Sequence, residues 1–64
     1  MTADEWNERH PIGTPVRVDL TPHAALDTHT ETEAWSLEDG TGVVIVLGVP
    51  WPITLTHVET RPIG

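Results

Sequence analysis

The sequence predicts an all-β fold class: a small barrel of five antiparallel strands, with a short helical turn at the N-terminus. Three observations carry that expectation. Residues 35–47 (WSLEDGTGVVIVL) read as a hairpin whose second arm is five consecutive aliphatics, the most strand-like stretch of the chain. Residues 16–20 (VRVDL) alternate apolar and polar with the period of a half-buried strand. Turn chemistry separates the apolar runs, with five glycines and six prolines in 64 residues.

The N-terminus opens on a capping box. Thr2 stands three residues before Glu5, and Asp4, Glu5 and Glu8 favour a helix N-terminus. Pro11 ends that helix early and pushes His10 into extended backbone, so residues 1–10 form a turn or two of helix, read as an arm before a single domain over 11–64. Trp6 is its one large apolar group and is expected to lid an open end of that domain.

The strands follow in order. Val16, Val18 and Leu20 point to the core, Arg17 and Asp19 away from it, and Thr21-Pro22-His23-Ala24 breaks the strand. Residues 26–36 are extended again, with Thr28, Thr30 and Thr32 on the inner face and Asp27, His29, Glu31 and Glu33 on the outer. The inward parity must switch between Thr32 and Trp35, which predicts a bulge or bend near Ala34. Asp39-Gly40 and Gly42 are expected to supply positive-φ positions for the hairpin. Residues 43–47 then run as the central strand, with both faces apolar and its parity undetermined. Gly48-Val49-Pro50-Trp51-Pro52 is a stiff connection, residues 53–55 a short strand, and residues 56–58 one 3₁₀ turn. Residues 59–63 close the chain, with Pro62 suited to an edge. The expected core is Val16, Val18, Leu20, Trp35, Leu37, Ile53, Leu55 and alternate members of 43–47.

Five short strands with a single helical turn before the last make the plan of an SH3-like barrel, whose closure hides strand edges. The runs HPIGTPVRV, TETEAWSLEDGTGVVIVLG and ITLTHVETRPI, within residues 10–63, carry a resemblance as well. They are similar to a group of small uncharacterised SH3-like proteins of actinobacteria and their phages. That group shares a Gly-x-Pro-Val start, an Ala-Trp-x-Leu hairpin arm and a Leu-x-His-Val turn. The Pro50-Trp51-Pro52 bridge departs from the Gly-rich turn of the group. The resemblance implies a phage or phage-derived accessory protein, and it brings no activity with it.

Composition narrows the function classes. So short a chain buries only about 60% of its unfolded surface, and without cysteine it has neither disulfide staples nor thiolate metal sites. A closed sheet, a partner or self-association remain as supports, so a homo-oligomer is allowed. Ten acids against three arginines and no lysine leave a formal charge of −7. That balance argues against direct contact with nucleic acid or an anionic membrane and permits a basic protein partner. No apolar run is long enough to span a bilayer and the acidic first residues resemble no signal peptide, so a cytoplasmic location is expected.

No residue pattern spells out catalysis. Ser36 is the sole serine and lacks a Gly-x-Ser-x-Gly setting, and no Gly-rich loop precedes a helix. His23 and His29 with Asp27, Glu31 or Glu33 are the nearest approach to a metal set, though on a polar strand face solvation is the ordinary state. No cofactor is expected, and a small metal-dependent or hydrolytic enzyme stands as the remote alternative. Two binding features remain. Asp27, Glu31 and Glu33 share a strand face that Glu38 and Asp39 would extend, either as a solvated surface or as a steering field for a basic partner. Trp51 between two prolines would be ordered on binding at little entropic cost, or would fold back to complete the core. The expectation is therefore a non-catalytic, acidic protein-interaction module. A nucleic-acid mimic directed at a DNA- or RNA-binding protein and a virion structural component are its rivals.

Overall fold

Thr2 starts the first helix as its capping pattern requires. Its Oγ1 accepts the Glu5 backbone N–H at 3.2 Å and donates to Glu5 Oε1 at 3.2 Å. The computed structural model describes residues 2–60. Helix α1 spans Ala3–Arg9 and stops at His10, which is extended before Pro11 (φ −134°, ψ 97°). Strands follow as β1 (Pro15–Thr21), β2 (Ala24–His29), β3 (Trp35–Ser36), β4 (Gly42–Val44) and β5 (Ile53–Thr54). A 3₁₀ turn at Leu55–His57 then leads into β6 (Val58–Thr60).

The protein is mostly β, built from two small antiparallel sheets of order β2-β1-β6 and β3-β4-β5 with one short helix. The expected five-stranded barrel is not clearly closed: among the described residues there are six strand segments, with β5 paired to β4 alone and β6 to β1 alone. The cause lies in the stretch between β1 and the hairpin. Its pairing with β1 ends at His29 and its pairing with β4 begins only at Trp35. Between them Thr30 bridges to Val46, with Leu47 N–H donating to His29 O at 3.0 Å and Glu31 N–H to Ile45 O at 2.8 Å. The Thr32 hydroxyl accepts the Ile45 N–H at 3.3 Å, so a side chain replaces the next rung of the ladder. The central strand is shortened for the same reason, its regular pairing ending at Val44 rather than Leu47.

Thr30 is the buried polar residue of this crossing. Its hydroxyl accepts N–H groups of Gly13 (3.0 Å) and Thr14 (3.2 Å), tying the turn before β1 to the crossing. Helix α1 closes the same side. Trp6 and Ala3 are buried in the main core with Val16, Val18, Val44, Val46, Val49, Ile53, Leu55 and Val58. Asn7 clamps the bend, its amide donating to Ala34 O at 2.9 Å and accepting the Ala34 N–H at 2.8 Å. Gly42 permits the close packing there, because a Cβ on it would meet Leu55 Cδ1 at 2.8 Å. It was expected at positive φ, but of the two hairpin glycines only Gly40 has it (88°).

Three expected core residues lie outside. Leu20 falls at an irregularity, since Asp19 pairs with Ala25 and Thr21 with Ala24, leaving Leu20 unmatched in the ladder. The bulge ends the alternation that buries Val16 and Val18, and Leu20 is 46% exposed. Trp35 (37%) and Leu37 (45%) are exposed because the expected parity switch does not occur. Thr30 and Ala34 are buried and Thr32 half-buried, so the even positions keep facing inward through the bend. Trp35 instead stands opposite Val43, and directly opposed residues share a sheet face, so it shelters Val43 on the side away from the main core. The Pro62 edge position lies outside the described residues.

Candidate functional site

The connection from β4 to β5 turns at Gly48 and buries Val49, which anchors it. Prolines on either side then hold the next residue in restricted backbone. Trp51 does not fold back to complete the core; it is 60% exposed, the most exposed large apolar residue among those described. It lines an open groove of about 570 Å³ together with Asp19, Leu20, Pro52, Thr54 and His57. A neighbouring depression continues the groove past Leu20 to Pro22. The site therefore joins the end of β1, the start of β5 and the 3₁₀ turn. Asp19, Leu20 and His57 carried no sequence signal for it, because only the bulge in β1 turns Leu20 outward.

The acidic candidates are distributed over β2, the bend after it and the hairpin loop. Asp27 lies across the ladder from Arg17, whose Nε donates to its Oδ1 at 3.2 Å. Glu31 Oε1 stands 3.2 Å from His29 Nε2. Glu33 and Glu38 are exposed. Asp39 is committed to its own loop, where Oδ1 accepts the Thr41 N–H at 2.9 Å. Hydrogen bonds from the Thr41 backbone and side chain hold the Asp39 carboxyl below its ordinary 3.8. The loop carrying Glu38 and Asp39 and the connection carrying Trp51 leave β4 at opposite ends. Glu31 shares a depression with that connection, beside Leu47, Gly48 and Pro50.

Chemistry-bearing groups are similarly scattered. Among the described residues no three His, Asp or Glu side chains converge as metal ligands. His10 stacks at a tilt on Trp6, ring centres 4.4 Å apart, and His57 lines the groove. Among the described residues no helix is long and apolar enough to cross a membrane. Compared with protein-family models, curated proteins and solved structures, the chain matches none.

Proposed function

We propose that the chain is a small SH3-like β-domain that acts as a non-catalytic protein-interaction module with a basic protein partner. The strand order supports the fold half of this reading. With β2 and β3 counted as two arms of one bent strand, five strands remain, in the order β6-β1-β2/3-β4-β5 with a 3₁₀ turn before the last. One observation carries the functional half: Trp51 is 60% exposed on a proline-bounded connection and shares a groove with the exposed Leu20. A small domain that leaves a tryptophan out of a thin core forgoes stabilisation, and Trp is the side chain most enriched at interface hot spots. The net charge of −7 favours a cationic partner and steers its approach. A phage or phage-derived accessory role belongs to the same reading and rests on the sequence resemblance alone, while action in the cytoplasm rests on the acidic first residues and the short apolar runs.

Affinity capture from an actinobacterial lysate, with wild-type and Trp51→Ala chains compared at low and high salt, tests the proposal. A defined protein retained by the wild type and lost from the variant is the expected result. A chain that captures nothing at low salt, or whose purified form turns over a substrate, contradicts the module.

A further inference from the structure

We infer that the groove between Leu20 and Trp51 receives an extended, basic segment of the partner, with one large apolar side chain seated between those two residues. The inference rests on the interaction-module reading and specifies its occupant.

The shape comes from strand pairing. β1 runs to Thr21, but β6 pairs only with Val16, Arg17 and Val18, so the β6-facing edge at 19–21 has no described strand beside it. Among the described residues β5 pairs only with β4, so no described strand lies along its outer edge either. The groove lies between these two strand edges, with His57 of the 3₁₀ turn among its lining residues. A slot between strand edges suits an extended chain better than a helix, whose side chains project all round a cylinder about 10–12 Å across. Its two walls carry Pro22 and Pro52, which lack backbone N–H groups. Backbone pairing with a guest is therefore short, and side-chain contacts on Leu20 and Trp51 must supply most of the affinity. At about 570 Å³ the groove falls within the size range of roughly 300–1,000 Å³ that accommodates small ligands and side-chain anchors.

Charge decides the occupant. Among the described residues Asp19 is the one charged residue lining the groove, which neither Arg9 nor Arg17 lines. Arg17 is held by Asp27 on the outer face of the sheet. A second copy of the chain would bring another −7 to the contact, so like-charge repulsion opposes self-association there. Nucleic acid and anionic lipid are opposed for the same reason. The chain's own β6 runs away from the groove, because Val58 stands opposite Val18 and Thr60 opposite Val16. A cationic segment with an apolar anchor satisfies both the Asp19 carboxylate and the exposed Leu20–Trp51 surface.

The test uses the full chain, labelled with nitrogen-15, and two sets of blocked peptides. In one set a central Leu or Trp is flanked by arginines; in the other the same residue is flanked by glutamates. The arginine set should shift the Trp51 indole N–H and the Asp19 and Leu20 amide signals, and the glutamate set should not. Trp51→Ala should weaken that binding at least about tenfold, and Leu20→Ser comparably. Asp19→Asn should weaken it by roughly two- to fivefold, and the difference should shrink at high salt. Well-dispersed spectra of the three variants establish that they fold. Arginine peptides that leave the groove signals unmoved, or that shift only Glu31, Glu33 and Glu38, overturn the inference. A natural partner captured equally well by wild-type and Leu20→Ser chains overturns the inference while leaving the module intact. Absence of both peptide binding and any captured partner overturns both.

Discussion

The two sides of this small protein are built on opposite principles. On the side where the chain crosses from one sheet to the other, backbone and side-chain groups pair closely. Thr30 gathers the N–H groups of Gly13 and Thr14, Thr32 takes the Ile45 N–H, and Asn7 fastens both polar groups of Ala34. Trp6 seals the core beside them. On the other side β5 and the end of β1 have no described strand between them, and Leu20 and Trp51 face solvent. The chain thus spends one tryptophan on stability and leaves another available. The contrast teaches that exposure of Trp51 is not a shortage of places to bury a tryptophan, since this sequence buries Trp6 nearly completely.

The largest effect that would break this comparison belongs to Trp6. A chain of 64 residues holds roughly 3–10 kcal/mol of stability. Trp6→Ala should remove about 3–5 kcal/mol through lost burial and the cavity left behind. Circular dichroism at 37 °C should then show a largely unfolded chain. Asn7→Ala comes next, at about 1–3 kcal/mol, because it leaves the Ala34 N–H and C=O without their partner beside a buried segment. Urea unfolding should show this loss. Amide exchange at Ala34 should also rise, and a purely helical role for Asn7 would not produce that change.

How far the sequence was legible follows the same division. Local signals were readable where local chemistry decides: the Thr2–Glu5 cap, the stop at Pro11, the turn at Pro22, the Gly40 hairpin and the 3₁₀ turn before the last strand. Inner threonines at 28, 30 and 32 were also readable, because period-two alternation marks them. Tertiary effects were not. The bulge that ejects Leu20 has no Gly or Pro to announce it, and the unbroken parity to Ala34 depends on Asn7 approaching from a different element. Trp35 and Leu37 alternate as the inward face of a hairpin arm would, whereas small Ala34 takes the inward position because the helix packs there. The groove was half legible. Trp51 stood out through its flanking prolines, while its companions Asp19, Leu20 and His57 meet it only through the fold.

A smaller effect sharpens the account of the acidic residues. The Asp39 carboxyl is held below its ordinary value by the Thr41 hydrogen bonds, so its folded pKa lies under its unfolded one. The contribution to stability is complete above the unfolded pKa and is lost as pH falls through the lowered folded value. Thermal midpoints of wild type and Asp39→Asn should therefore change in parallel at neutral pH and diverge in slope below 3.8, the wild type losing slightly more. Identical slopes would show that the carboxylate is not engaged in the loop.

The smallest expected effect tests the central claim most directly. Urea unfolding of the Leu20→Ser, Trp51→Ala double variant should match the wild type within about 1 kcal/mol, since surface substitutions of this kind shift stability by roughly 0.5 kcal/mol each. That result would mean the groove's apolar surface is carried for something other than the fold. A loss of about 3 kcal/mol or more would place Trp51 in the core and contradict the account.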